Sequence, residues 1–267
     1  MSAEAVSAEI TMTDASSPPL GKLIGIGLIA GLFSALFGVG GGIIVVPLLI
    51  ALCHFDAKVA TATSLAGIVT TAIVGASAHG VLGNVDVARA TAIGLPATLG
   101  VVAGVTLKAK LSSRALVYGF SGLLVVAAIR MLFPEGGALS GLGLATEIPL
   151  VAGVGFIAGV IAALFGVGGG ILFVPVLTLI LGLTQKNAAG TSLLAMIPVS
   201  LLGTWRQRAT GHIRWREAVI LGLASTSTAV GGALLADITP PRLLRILFAA
   251  LLLLTAAQLA YRERSPG

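Results

Sequence analysis

GLFSALFGVGGGIIVVPLL, residues 31–49, recurs at residues 159–177 as GVIAALFGVGGGILFVPVL. The two stretches are identical at 13 of 19 positions, including all of GVGGG and the proline five residues beyond it. Glycine destabilises a helix interior by about 1 kcal/mol relative to alanine, yet both clusters lie in strongly apolar regions. The chain therefore contains the same interruption of an apolar helix twice.

The repeat extends far beyond these two stretches. A shift of 128 residues overlays the chain on itself without a gap for about a hundred positions. Identical residues in this register lie in loops as well as in apolar segments, and they include Lys58 with Lys186, Thr63 with Thr191, Ser64 with Ser192, Gly83 with Gly211, and Phe120 with Phe248. Shared low complexity would not keep one register over such different regions. The chain consists of two copies of one unit.

Composition places these copies in a membrane. Of the 267 residues 57% are apolar and 10% are charged, and the mean hydropathy is +1.07, whereas soluble domains carry about 25% charged residues. Apolar runs of 14–22 residues recur, close to the roughly 20 that span a bilayer as a helix, and they are apolar on every face rather than alternating. We therefore predict an all-α polytopic membrane protein in contact with the lipid bilayer. The net charge of +6 is explained by basic loops that orient the chain, and no nucleic-acid partner is expected.

Each copy contains five apolar segments, and these set the predicted domains. In the first copy they run over 20–37, 41–54, 60–80, 87–108 and 114–133, and in the second over 148–165, 169–183, 188–205, 216–236 and 242–261. The predicted organisation is a disordered cytoplasmic tail at 1–19, a first transmembrane repeat at 20–133, an external linker at 134–147, a second transmembrane repeat at 148–261 and a cytoplasmic C-terminus at 262–267.

An odd number of segments inverts the second copy relative to the first, and the charges agree with this topology. The linker 134–147 has two glutamates and no Lys or Arg, so it is expected outside. The loop 108–114, which includes Lys108, the arginine-rich stretch 204–217 and the C-terminal arginines then fall inside. Lys186, Arg242 and Arg245 lie outside, against the trend. We expect a multi-pass protein of the inner (plasma) membrane with both termini cytoplasmic.

Inverted repeats are the architecture of many secondary transporters, whose binding sites are built from discontinuous helices. The segment after the glycines has about 14 residues, or about 21 Å of helix, which is too short to cross a bilayer. We predict a helix, a glycine turn at membrane depth and a short return helix, resembling a re-entrant pair. Short helices present free amides and partial positive charge at their N-termini. The predicted anion site comprises Gly40, Gly41, Gly42, Gly168, Gly169 and Gly170; the alternative is that these glycines only allow close helix packing.

Other side chains support an anionic substrate. All ten carboxylates lie in the tail or at predicted segment ends, so none marks a cation site inside the membrane. Hydroxyls in equivalent positions, Thr63, Ser64, Thr191 and Ser192, are predicted to join the site, although such hydroxyls often bond only to their own backbone. His79, Asn187 and Gln207 are candidates for coupling or gating, with His79 as a possible proton carrier or a plain interfacial residue. No metal-binding spacing, catalytic set or cofactor motif is present, so neither an enzyme nor a cofactor is expected.

GLFSALFGVGGGIIVVPLL with ATATSL (60–65), and GVIAALFGVGGGILFVPVL with NAAGTSL (187–193), resemble the TauE/SafE family of sulfite-exporter, or TSUP-type, permeases. The resemblance covers nearly all of residues 21–261. It implies transport of sulfite, organosulfonates, thiosulfate or related anions. The residues themselves indicate only a small anion, and they leave open the anion, the direction, the coupling ion (a proton or sodium) and the oligomeric state. An anion channel with the same site and a non-transporting membrane scaffold or sensor remain alternatives.

Overall fold

The computed structural model describes residues 18–132 and 144–264. These residues form ten α-helices and a short 3₁₀ turn at Arg208–Thr210. The helices are α1 (Leu20–Phe37), α2 (Gly42–Cys53), α3 (Ala57–Val81), α4 (Val87–Lys110), α5 (Ser113–Leu132), α6 (Leu144–Phe165), α7 (Gly170–Leu179), α8 (Gln185–Gln207), α9 (Trp215–Ile238) and α10 (Pro241–Arg264). One helix corresponds to each predicted apolar segment, and the all-α fold class is confirmed.

Most helix ends differ from the predicted segments by one to four residues. Helix α6 begins at Leu144, inside the stretch 134–147 that was expected to be linker, and α10 runs to Arg264, beyond the predicted boundary at 261. Helix α7 ends at Leu179, four residues early. Hydropathy marks where a segment stops being apolar, whereas backbone hydrogen bonds continue a helix into polar sequence. Residues 1–17 of the predicted tail and residues 133–143 lie outside the described residues.

The outer surface of the helices is apolar. In the part of the chain that the structure describes, seven helices are long and apolar enough to cross a membrane: α1, α3, α4, α5, α8, α9 and α10. Leu99 in α4, Leu223 in α9 and Leu254 in α10 each expose more than 60% of their surface. Large aliphatic side chains exposed at this density fit lipid rather than water. The protein is a multi-pass membrane protein.

The helices of the two copies interleave rather than forming separate bundles. Helix α1 packs along α9, and α6 packs along α4, so that the first helix of each copy lies against the fourth helix of the other. The third helices, α3 and α8, contact each other, as do the fifth helices, α5 and α10. The main contacts therefore occur as pairs related by the 128-residue shift.

Glycines allow the closest of these contacts. A Cβ added to Gly31 in α1 would overlap the carbonyl of Ser225 in α9, and one added to Gly159 in α6 would overlap the carbonyl of Ala97 in α4. The backbones touch directly, as at small-residue interfaces of other membrane helices. Because α1 and α6 each lead into a GVGGG cluster, these two interfaces position the glycine clusters.

Two stacked aromatic pairs also connect the two copies. Phe37, the last residue of α1, stacks on Phe248 of α10 with ring centroids 5.2 Å apart. Phe165, the last residue of α6, stacks on Phe120 of α5 at 5.4 Å. Each pair joins the end of a first helix to the fifth helix of the other copy, so the glycine clusters begin from anchored positions.

Candidate anion-binding site

Both GVGGG clusters form turns that only glycine adopts readily. In the first turn, Gly38–Gly41, the φ angles of Gly38, Gly40 and Gly41 are 75°, 67° and 76°. In the second turn, Gly166–Gly169, the angles of Gly166, Gly168 and Gly169 are 69°, 68° and 92°. Positive φ is disfavoured for residues with a Cβ. The glycines therefore end α1 and α6 and redirect the chain into α2 and α7.

The two turns lie directly against each other. A Cβ added to Gly42, where α2 begins, would lie 2.6 Å from the Cα of Val167 in the second turn. A Cβ added to Gly170, where α7 begins, would lie 2.5 Å from the Cα of Val39 in the first turn. The beginning of each short helix thus touches the glycine turn of the other copy.

Ser64 and Ser192 connect each copy to the turn of the other. Ser64 Oγ in α3 donates to the carbonyl of Gly166 at 3.0 Å, and Ser192 Oγ in α8 donates to the carbonyl of Gly38 at 2.7 Å. A hydroxyl has one hydrogen, so in this conformation neither serine has a hydrogen left for an anion. The serines hold the turns in place.

Thr63 and Thr191 act as acceptors at the beginnings of α9 and α4. The Thr63 hydroxyl accepts the N–H of Arg214 at 3.1 Å, and the Thr191 hydroxyl accepts the N–H of Asp86 at 2.9 Å. Within the described parts of the chain, neither hydroxyl hydrogen has an acceptor. Each threonine therefore keeps an unused donor while tying α3 to α9 or α8 to α4.

Six N–H groups, at the ends of the two turns and at the beginnings of α2 and α7, have no partner among the described residues. Gly40, Gly41, Gly42, Gly168, Gly169 and Gly170 are buried, and over residues 18–132 and 144–264 no acceptor receives their six N–H groups. Buried unpaired amides are rare and cost about 1–3 kcal/mol each. Because they precede or begin α2 and α7, they also carry partial positive charge. An anion is the ligand that this arrangement fits best.

The space beside the turns is filled by two side chains at equivalent positions. Met196 of α8 lies over Gly40 and Gly168, where its Cε occupies the place of a Cβ, and Ile68 of α3 lies beside both glycines. Both side chains are fully buried. The structure is therefore closed at the turns by side chains of α3 and α8. Nothing polar marked this pair in the sequence.

The candidate coupling residues occupy different environments. His79 Nε2 lies 2.7 Å from the carbonyl of Ala35 in the last turn of α1. A carbonyl only accepts, so Nε2 carries the hydrogen and buried Nδ1 is left as an acceptor without a donor among the described residues. Asn187 is half-buried in the first turn of α8. Gln207, at the position equivalent to His79, receives a hydrogen bond from Lys108.

Lys108 corrects the sequence interpretation. It was assigned to an inside loop, but it lies in α4 and is 4% exposed. Its spacing in the sequence indicated burial, because Gly100, Gly104 and Lys108 share the face of α4 that packs on α6. The equivalent residue in the second copy is small and uncharged, Ala236.

Ion pairs of opposite polarity lie at the beginnings of α4 and α9. Asp86 pairs with Arg89 at 2.7 Å, and at equivalent positions Arg214 lies 3.7 Å from Glu217. Partial burial alone would raise the pKa of Asp86, but the amide and guanidinium of Arg89 outweigh it and lower that pKa. The residue whose N–H bonds to the threonine is therefore acidic at the beginning of α4 (Asp86) and basic at the beginning of α9 (Arg214). In the described part of the chain, no group of three His, Cys, Asp or Glu residues could hold a metal ion.

The sequence matches a known protein family. The model of the sulfite exporter TauE/SafE family matches residues 23–148 and 151–267. The chain belongs to this family. Both matched regions contain a GVGGG turn and the serine that holds the opposite turn, so the family match covers the whole candidate site. No solved structure matches the chain.

Relatives in the family are described as membrane transporters. The probable membrane transporter YdhB of Bacillus subtilis is 27% identical over 220 residues, covering 80% of this chain and 89% of that protein. YunE of the same organism is 27% identical over 223 residues, covering 74% and 82%. A probable membrane transporter of Methanocaldococcus jannaschii is 33% identical over 119 residues, which is 42% of this chain and 45% of that protein. The family and these names indicate a membrane transporter rather than an enzyme.

Proposed function

We propose that this protein is a secondary transporter of a small sulfur-containing anion: sulfite, an organosulfonate or thiosulfate. The observation that carries the proposal is the contact between the two glycine turns, where six buried N–H groups have no acceptor among the described residues. Backbone amides at helix beginnings bind the oxygens of such anions without a full counter-charge. The choice of sulfur anions follows the family description.

Alternating access by two inverted repeats is the mechanism that fits this arrangement. The contacts occur in pairs related by the 128-residue shift, as two halves that exchange roles require. Ile68 and Met196 close the site here, which favours a carrier over an open channel. Movement of α3 relative to α8 would uncover the turns from one side and then from the other. In this proposal the protein lies in the cell membrane with both termini in the cytoplasm, as the loop charges predict.

Whether the transporter needs a coupling ion depends on the direction in which it moves the anion. Outward movement of one negative charge gains about 2.3 kcal/mol per 100 mV of membrane potential, so export proceeds uncoupled. Uptake requires a proton or a sodium ion. The unpaired Nδ1 of His79 is the candidate proton acceptor, and carbonyls at the broken helices are candidates for sodium.

Flux into proteoliposomes tests the function. Wild-type protein should transport at least one of sulfite, thiosulfate and methanesulfonate, with saturation and counter-transport. Gly42→Ala and Gly170→Ala introduce a methyl group where the turns touch and should reduce flux at least tenfold. The matched controls are Gly25→Ala and Gly153→Ala, equivalent helix positions with open space around them, which should transport normally.

Other outcomes identify the alternatives. Flux without saturation or counter-transport would indicate a channel. Flux no greater than that of empty liposomes for every anion, with and without proton and sodium gradients, would indicate a scaffold or sensor. Normal flux in both Gly42→Ala and Gly170→Ala would contradict the glycine-turn site.

A further inference from the structure

Lys108 is a buried amine whose one hydrogen-bonding partner in the described part of the chain is neutral. Its Nζ donates to Gln207 Oε1 at 2.6 Å, and the residue is 4% exposed. No carboxylate within ion-pair distance is found among the residues the structure describes. Burying an amine in its charged form without a counter-charge is costly, so an anion beside Nζ would stabilise the ammonium.

Gln207 adds a second unused donor. The residue is 1% exposed, and its Nε2 has no acceptor among the described residues. An ammonium has three hydrogens and a carboxamide nitrogen has two, while the pair uses one of these in its own hydrogen bond. Both side chains therefore have donors available at the junction of α4 and α8.

The one carboxylate whose field reaches Lys108, among the described residues, does not take these donors. Asp56 and Lys58 are the charged groups whose fields reach Lys108, and they oppose each other. The Asp56 carboxylate is occupied, because it accepts the N–H of Lys58 at 2.7 Å and the hydroxyl of Ser113 at 2.6 Å. It acts on Lys108 through space only.

Helix register places Lys108 near the glycine turns. Gly104 of α4 packs against Val160 and Ala163 in the last turns of α6. Helices α4 and α6 run parallel here, since Ala97 meets Gly159 further back along both. Lys108 lies one turn beyond Gly104, about 6 Å along the axis, near the level at which α6 gives way to the second turn.

We propose that Lys108 and Gln207 form a second oxyanion-binding site, through which the substrate passes between the second glycine turn and the ends of α4 and α8. One oxygen of a sulfite, sulfonate or carboxylate group accepts from Lys108 Nζ and another from Gln207 Nε2. The site exists at one end of the protein, because the equivalent residues at the other end are Ala236 and His79. Its role in transport rests on the proposed function, whereas its capacity to bind an anion does not.

Binding to purified protein in detergent tests the site. The shift of the thermal unfolding midpoint is measured against the concentration of sulfite, methanesulfonate and acetate, in the Gly42→Ala background that blocks the glycine turns. Lys108→Met should raise the apparent Kd at least tenfold. Lys110→Met removes the same charge from an exposed residue two positions along and should bind within twofold of its parent.

Gln207→Glu supplies a second test that keeps the fold. The new carboxylate would pair with Lys108 and compete with any added anion, so the anion-induced shift should disappear while the unliganded protein remains folded. If Lys108 only joins α4 to α8, Lys108→Met would lower the unfolding midpoint without anion but leave the anion-induced shift unchanged. This result would overturn the site. The absence of a shift with all three anions in the parent protein would overturn it as well.

Flux separates failure of this site from failure of the function. Wild-type transport with an unchanged KM and unchanged binding in Lys108→Met would leave the transporter intact and remove the site. Anion binding that depends on Lys108, in a protein that transports none of the anions, would keep the site and reject the transporter.

Discussion

At the residue scale, small differences in hydrogen bonding decide what each polar side chain offers. Serine and threonine stand side by side in both copies, yet Ser64 donates to a turn whereas Thr63 accepts from a helix beginning. Only the threonine keeps a hydrogen for a ligand. Of two adjacent hydroxyls on one helix, one therefore holds a turn and the other keeps a hydrogen that no described residue accepts.

Ser64→Ala and Ser192→Ala should each destabilise the protein. Either change leaves a buried turn carbonyl without its hydroxyl donor, which costs about 1–3 kcal/mol in the free energy of unfolding. Unfolding by SDS titration in mixed micelles measures the loss. The control is Ser77→Ala, because the exposed Ser77 hydroxyl bonds only within its own helix. Equal stability of Ser64→Ala, Ser192→Ala and Ser77→Ala would show that the serines do not hold the turns.

At the element scale, pairs of helices from different copies form the frame that carries the turns. Helices α1 and α9, and likewise α6 and α4, touch backbone to backbone through glycine. Such contacts leave no room for adjustment, because packed interiors respond to a single added methyl group. The position of each turn therefore depends on the small residues of a helix in the other copy.

Gly159→Ala should weaken the contact of α6 with α4. The added methyl group would overlap the carbonyl of Ala97, and overpacking of this kind costs about 1–3 kcal/mol. Gly153→Ala, on the same helix with open space around it, should change stability little. Thermal unfolding of the two variants measures the difference, and equal midpoints would contradict the close packing.

The beginning of α3 should show a dependence on pH. Partial burial alone would raise the pKa of Asp56, but the Ser113 hydroxyl, the Lys58 amide and the Lys58 charge outweigh it and lower that pKa. The folded state therefore favours the carboxylate, whose stabilisation is complete above the unfolded pKa of about 4 and is lost as pH falls through the lower folded pKa.

Asp56→Ala measures this contribution. The N-cap of α3 is worth about 1 kcal/mol, so the variant should unfold more easily than wild type at pH 7, and the gap should narrow below pH 4. Unfolding midpoints at a series of pH values report the gap. A gap that widens in acid would contradict the lowered pKa.

At the scale of the whole molecule, the contacts between the two copies are duplicated in the same way as the sequence. Thr63 with Arg214 and Thr191 with Asp86 are one contact made twice, with the copies exchanged. The charges beside these contacts differ, as does the Lys108 position, so the two ends of the molecule are not equivalent. Paired halves of this kind are what the proposed alternating-access mechanism requires.

Inversion of the copies predicts opposite labelling of equivalent positions. Val81 and Ala209 are exposed, lie 128 residues apart and follow the same predicted segment in each copy. In a Cys53→Ser background, Val81→Cys should react with an impermeant maleimide added outside intact cells. Ala209→Cys should react only after the membrane is opened. Labelling of both from one side would reject the inverted topology.

Much of the fold followed from local sequence properties. Hydropathy located ten helices to within a few residues, because lipid requires long apolar stretches whose backbone bonds close within each helix. The repeat indicated that the GVGGG clusters belong together, and glycine's access to positive φ explained why both helices break there. The proposed substrate class rests on the family resemblance.

The remaining features depended on contacts between residues distant in sequence. Ser64 meets Gly166 across 102 positions, and hydropathy carries no record of such pairings. Ile68 and Met196 close the site although nothing polar marks them, and Lys108 looked like a loop charge until helix packing buried it. The sequence by itself determined the membrane class, the duplication and the two breaks, because these arise from composition and backbone geometry along the chain. Only the tertiary structure decided which amides, hydroxyls and amines stay unpaired, because hydrogen-bond donors are used or left free by neighbours that folding brings together.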